Sequence, residues 1–145
     1  MLNSKQKGNI TEVECMLAFL KLGYNVLTPY GDCERYDFVV DINNKLYKIQ
    51  AKTANTSHIN EGYIEFKTSN KTTRNGTFVR NFYTSEQVDF FATSYNGQCY
   101  LVPISETSRQ TKRLRFTTPK NGQANGITFA EEYELERMVN KIISK

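Results

Sequence analysis

The segment YDFVVDINNKLYKIQAKT, residues 36–53, alternates apolar and polar side chains on both sides of an Asn-Asn pair. A period of two is typical of β-strands, in which successive side chains point to opposite faces. Asn43 and Asn44 suit a two-residue turn, because asparagine tolerates the positive φ that a type I′ turn requires. The segment therefore predicts a β-hairpin with one apolar and one polar face.

The turn fixes which side chains meet across this hairpin. With Ile42 opposite Lys45, Asp37 lies opposite Gln50, and the two side chains share a face. Lys52, two residues beyond Gln50, lies on the same face, and a register slip is costly because it would reverse every side chain. The opposite face is expected to be core and carries Phe38, Val40, Tyr47, Ile49 and Ala51.

The polar face combines groups that suit phosphodiester hydrolysis. Mg²⁺ accepts carboxylate and amide oxygens as ligands, and a neighbouring lysine can orient a water or stabilise charge on phosphorus. Glu12 supplies another carboxylate if the first helix packs beside the hairpin. These residues are therefore candidates for a metal-assisted nuclease site.

Each candidate also has an ordinary structural interpretation. Glu12 is spaced to form a helix-capping pair with Asn9. Asp37 and Lys52 can form a plain cross-strand charge pair, and Gln50 can be an exposed strand residue. The residue types alone leave the choice between structure and catalysis open.

The flanking sequence predicts further elements. An amphipathic first helix begins at Asn9, ends at Gly23 and carries apolar residues at helical spacing, namely Ile10, Val13, Leu17 and Leu20. Asn96-Gly97 predicts a second hairpin, and KRLRF, residues 112–116, predicts an extended strand. Thr128 with Glu131 is expected to open a C-terminal helix.

Composition excludes several classes of protein. The 145 residues are 39% hydrophobic and 23% charged, which fits a single domain over residues 1–145. Three cysteines without a CxxC and one histidine, His58, leave no zinc cluster or histidine triad. The longest apolar run, residues 15–20, is too short to span a membrane, and no signal segment is evident, so we expect a soluble cytoplasmic protein.

The net charge of +4 is concentrated in the middle of the chain. Residues 67–120 hold nine Lys or Arg against three Asp or Glu, whereas the flanking segments are near neutral. Such a segment suits a polyanion, since Lys and Arg contacts to phosphate dominate affinity for nucleic acids; a solubilising surface is the alternative. The candidate DNA-binding residues are Lys67, Lys71, Arg74, Arg80, Arg109, Lys112, Arg113 and Arg115.

The ordered set of segments resembles the PD-(D/E)xK nuclease superfamily, and within it the small endonucleases associated with group I introns. The resemblance rests on GxxxE at residues 8–12, then LTPYGDCERYDFVVD, LYKIQAKT, YLVP, LRF, PKNGQ and FAEEYEL, so it covers most of the chain. It implies an α/β, restriction-endonuclease-like core of order αβββαβ, with added strands and a C-terminal helix. It also implies Mg²⁺ as cofactor and DNA as substrate.

The resemblance assigns a role to each candidate residue. Asp37 matches the central metal-binding acid, Gln50 the position usually held by Asp or Glu, Lys52 the catalytic lysine and Glu12 the helical acid. Glu12, Asp37 and Gln50 would then hold the metal. Two departures stand out: Tyr36 replaces the proline of the motif, and Gln50 removes one negative charge.

These observations predict a Mg²⁺-dependent DNA endonuclease with homing or restriction-like site specificity. Holliday-junction resolution on branched DNA is an alternative within nucleases, and a non-catalytic DNA-binding module on the same fold is an alternative outside them. One catalytic set cuts one strand, so cutting both strands of a duplex calls for a homodimer or homotetramer.

Overall fold

The protein folds as a mixed α/β structure. A computed structural model describes residues 1–108, 110–123 and 125–145, with every side chain in those ranges except that of Lys71. Helix α1 spans Ser4–Lys21 and α2 spans Leu135–Ile143. The strands are β1 Asn25–Leu27, β2 Phe38–Ile42, β3 Lys45–Ala51, β4 Tyr63–Lys67, β5 Ser69–Arg74, β6 Thr77–Phe82, β7 Phe90–Tyr95, β8 Gln98–Pro103 and β9 Thr111–Arg115.

Five strands form the main sheet, in the order β1-β2-β3-β7-β8. β3 and β7 are parallel and the other neighbours are antiparallel. Side chains of α1 and α2 join those of one sheet face in a single buried cluster. A second cluster packs β7 and β8 against the two-stranded β4-β9 sheet. The sheet is therefore buried between two layers over β7 and β8.

The predicted β2-β3 hairpin is confirmed in register and in facing. Ile42 pairs with Lys45 and Phe38 with Ile49, while Asn43 and Asn44 have φ of 55° and 67°. The side chains predicted to be core belong to the buried cluster formed with α1 and α2, or pack against it. The second hairpin is also confirmed, with Asn96 and Gly97 in the turn.

The connection from β3 to β7 departs from the αβββαβ order at the second helix. Residues 52–89, all of which are described, hold no α-helix. They form a 3-10 turn at Ile59–Glu61, then β4, then β5 and β6, which pair only with each other as a two-stranded ribbon, residues 69–82. Strands therefore occupy the place of the crossover helix.

Helix α1 differs from its prediction in where it starts and which side it buries. It starts six residues earlier, because Asn3 and Gln6 form the capping box. The four residues predicted as its apolar face remain between 45% and 58% exposed. Thr11, Cys15 and Phe19 are buried instead, and the Phe19 ring packs edge-on against Phe38 at 6.0 Å. Both sides of this helix are apolar, so spacing alone selected the wrong one.

The C-terminal helix also begins later than predicted. Residues Ala130–Tyr133 form a 3-10 turn, and α2 starts at Leu135. Glu134 is extended and bridges to Tyr100 of β8, which separates the turn from the helix. No helix in the described part of the chain is both long and apolar enough to cross a membrane.

Candidate active site

Asp37 stands at the entrance to β2 and is fixed by the hairpin backbone. Its N–H donates to the Ile49 carbonyl at 2.8 Å, and its Oδ2 accepts from the Ala51 N–H at 2.8 Å. Oδ1 of Asp37 has no hydrogen-bond partner among the described residues. Burial raises the pKa of Asp37, although the Ala51 hydrogen bond and the charge of Lys52 act in the opposite direction. The hairpin thus holds a partly desolvated carboxylate in a fixed position.

Glu12 lies on α1 beside this carboxylate. Its pKa is raised by burial and, to a smaller degree, by the negative charge of Asp37. A buried Thr11 next to it places its hydroxyl 3.2 Å from that of Thr53, which anchors the helix to the end of β3. The capping interpretation of Glu12 is wrong, because Asn3 caps the helix. The structure brings together two acids that are 25 residues apart in the sequence.

Lys52 and Gln50 follow on the same side of β3. The Lys52 Nζ donates to Asn70 Oδ1 at 2.7 Å and to the Tyr83 hydroxyl at 2.9 Å. The Gln50 Nε2 makes only a long hydrogen bond of 3.4 Å to the Ala51 carbonyl. Lys52 is therefore firmly held, and it lies close enough to Asp37 to influence its pKa.

Three residues of this site were missed by the sequence analysis. Asn70 comes from the start of β5, and Tyr83 follows β6. The Arg35 guanidinium lies over the Tyr83 ring, 4.1 Å from its centroid. No local pattern marks these residues, because they reach Lys52 through pairings between distant segments.

The acidic pair and the amide fit a hard divalent cation better than a soft metal. No cluster of three His, Cys, Asp or Glu side chains exists among the described residues. The oxygen donors available are Glu12, Asp37 and Gln50, two carboxylates and an amide, and such groups could hold Mg²⁺ if water and phosphate complete its shell. The negative charge of Asp37 contributes to the raised pKa of Glu12, and a cation next to the two carboxylates would offset that repulsion.

A groove of about 580 Å³ runs beside Lys52. Its basic lining residues, besides Lys52, are Lys7, Lys67 and Arg80, which we call the groove cations. Arg80 donates to Ser69 at 3.1 Å, and Glu65 is the one acidic side chain among the lining residues. Lys7 was not predicted. The groove joins α1, β4 and the ribbon into one basic surface at Lys52.

The predicted DNA-binding residues on β9 make different contacts. The β9 cations are Lys112, Arg113 and Arg115, and each has a protein partner. Lys112 donates to the Glu106 carbonyl at 2.8 Å, and burial lowers its pKa. Arg113 pairs with Glu65, and Arg115 donates to the Glu61 carbonyl at 2.8 Å.

The other predicted DNA-binding residues lie outside both groups. Arg74 ends β5 at the tip of the ribbon, beside the Asn75-Gly76 turn. Lys71 pairs with Arg80 across the ribbon through its backbone. Arg109 falls outside the described residues. Among the described members of the set, Arg74 therefore lies nearest the tip of the ribbon.

The comparison with known proteins assigns the family. Residues 2–136 match the PD-(D/E)XK endonuclease family. The chain belongs to this family. The solved structure of a bacterial homing endonuclease, I-Ssp6803I, is similar to the chain with a TM-score of 0.80 and 23% sequence identity, over 99% of this chain and 98% of that chain. No curated protein matches the sequence significantly.

The match confirms the resemblance and the fold class inferred from the sequence. The family supports an endonuclease, and enzymes of this family generally use divalent metal ions. The structural likeness at 23% identity concerns the fold. The comparison assigns no role to an individual residue of this chain.

Proposed function

We propose that this protein is a Mg²⁺-dependent DNA endonuclease, with residues 1–145 as one catalytic domain that acts in the cytoplasm. The observation that carries the proposal is the convergence of Glu12, Asp37, Gln50 and Lys52 at one end of the β2-β3 hairpin, next to a basic groove. An ordinary cross-strand charge pair needs neither a second, partly buried acid from α1 nor a groove.

Glu12, Asp37 and Gln50 would hold Mg²⁺, which, when bound, polarises the scissile phosphate and lowers the pKa of a water. Lys52 places its positive charge beside the negative charge that develops on the phosphate oxygens. Alternatively, its Nζ orients the attacking water. Asn70 and Tyr83 hold the ammonium for this role through the two hydrogen bonds at Nζ. Gln50 adds no charge, so the site depends on the two acids for metal affinity.

The ribbon supports site-specific cutting. A two-stranded β-ribbon fits the major groove of B-DNA, where base pairs can be distinguished. Its polar side chains suit base edges and phosphates, and Phe78 near its tip is 77% exposed. The contact from Asn70 to Lys52 ties the base of the ribbon to the catalytic residues. We assign duplex DNA as the substrate, cut in a homing or restriction-like manner by a homodimer or homotetramer.

Cleavage of linear duplex against four-way-junction DNA, with mapping of the ends, tests the proposal. We expect Mg²⁺-dependent cuts in duplex DNA at discrete positions and no cutting in EDTA. Preferred cutting of the junction would instead favour the Holliday-junction alternative. Binding without any cutting under these conditions would favour a non-catalytic module.

A further inference from the structure

Tyr83 is held from three directions at the catalytic lysine. Its hydroxyl accepts from the Lys52 Nζ at 2.9 Å, and the ammonium also lies 4.7 Å from the ring centroid. Phe91 of β7 meets the ring edge-on at 5.4 Å. The Arg35 guanidinium lies 4.1 Å from the centroid, within the range of cation–π attraction. The ring therefore has little freedom to turn its hydroxyl away from Lys52.

Arg35 is expected to lower the stability of the protein at this position. Its Nη2 is buried and has no hydrogen-bond partner in the part of the chain that the structure describes. A buried donor without a partner lowers stability, and such groups in native proteins call for an explanation. An apolar side chain of similar length would cover the ring without that cost, so the packing of Tyr83 alone does not explain an arginine.

The position of Arg35 in the chain links it to the site. It precedes Asp37 by two residues, so the segment that carries the metal-binding acid also carries the guanidinium. Tyr83 follows the ribbon, and Lys52 follows β3. The stack of Arg35 on Tyr83, together with the Tyr83–Lys52 hydrogen bond, thus joins three segments of the chain at the candidate active site.

We propose that Arg35 and Tyr83 are positioning residues that fix the Lys52 ammonium for cleavage, with Arg35 acting through the ring of Tyr83. This inference deepens the proposed nuclease function and rests on it for the effect on rate. The effect on the placement of Lys52 does not depend on that function.

The test uses Arg35→Met and Tyr83→Phe in the full chain. Arg35→Met keeps an unbranched chain over the ring but removes the charge and the unpaired donor, and Tyr83→Phe keeps the ring but removes the hydroxyl. We expect each to lower the single-turnover rate at saturating DNA at least tenfold, with DNA affinity changed less than twofold. The melting temperature of Arg35→Met should equal or exceed that of the wild type. Arg137→Met on α2, whose arginine pairs with an exposed Glu131, is the matched control.

Nuclear magnetic resonance of the lysine side chains gives a readout that does not require cleavage. The Lys52 signal should shift in Arg35→Met and in Tyr83→Phe and stay in place in Arg137→Met. An unchanged Lys52 signal, or a rate loss that only follows a loss of thermal stability or of DNA affinity, would overturn the positioning role. If the wild type cuts no DNA, the nuclease proposal fails, while the Lys52 signal still decides the inference.

Discussion

The groove cations and the β9 cations carry the same type of charge, but they differ in what they already bind. Lys7, Lys67 and Arg80 line an open groove beside Lys52. Lys112, Arg113 and Arg115 are joined to carbonyls or to a carboxylate of their own fold. In the sequence, Lys67 and Arg80 fall in the same basic segment as the β9 cations, residues 67–120, so charge alone does not locate a DNA surface. Substitutions at the site carboxylate, in the groove and in β9 should therefore have separate effects on cleavage, DNA affinity and stability.

The largest effect is expected at the carboxylate next to the groove. Asp37→Asn keeps an oxygen that can accept from the Ala51 N–H but removes the charge that would hold a cation. Cleavage should fall about 1000-fold, which lies in the middle of the roughly 100- to 10,000-fold range for the loss of one catalytic group, with little change in stability. Asp41→Asn, on the same strand and face, is the matched control and should cut at the wild-type rate. Equal losses in both variants would contradict the assignment of Asp37.

The next effect concerns binding by the groove cations. The double substitution Lys67→Ala with Arg80→Ala removes two charges from the groove. Binding at low salt should weaken by roughly 10–100-fold, and the slope of log K against log salt should fall by about 1.8, because each phosphate contact contributes about 0.9. Fluorescence anisotropy over a salt series measures both. An unchanged slope would exclude the groove as the phosphate-contacting surface.

A smaller effect, of a different kind, is expected in β9. Arg115→Ala removes the hydrogen bonds to the carbonyls of Glu61 and Thr117. The free energy of unfolding should fall by about 1 kcal/mol, while DNA affinity stays within twofold. Urea unfolding and anisotropy on the same sample provide the two values. A loss of DNA affinity without a loss of stability would instead indicate that Arg115 contacts DNA.

The smallest effect is expected for Arg113→Ala. The Arg113 Nε lies 3.2 Å from Glu65 Oε2, and the Arg113 side chain is 60% exposed. Exposed ion pairs contribute about 0–1 kcal/mol to the free energy of unfolding. Stability and DNA affinity should both remain close to wild type in urea unfolding and anisotropy. A tenfold loss of affinity would place β9 beside the groove as a second DNA contact.

The sequence predicts the β2-β3 hairpin well because its determinants are local. The alternation around Asn43 and Asn44 sets the turn, the register and the two faces at once, and so it places Asp37, Gln50 and Lys52 together. Glu12 could be proposed but not positioned, since its distance from Asp37 depends on how α1 packs.

The sequence fails where two arrangements have similar local patterns. Helix α1 carries apolar residues on both sides, and the contact of Phe19 with Phe38 decides which side is buried. The partners of Lys52 lie 18 and 31 residues away, on the ribbon and beyond it. Their positions result from the pairing of β5 with β6, and no spacing near Lys52 encodes that pairing.

We propose that the polar face of the β2-β3 hairpin cuts DNA while the groove cations bind it. Single-turnover cleavage and DNA affinity of Lys52→Ala, measured side by side with the wild type in Mg²⁺, test it most directly. We expect Lys52→Ala to abolish cutting and to leave DNA binding largely intact, because Lys67, Arg80 and Lys7 still line the groove. Cleavage by Lys52→Ala at the wild-type rate would contradict it.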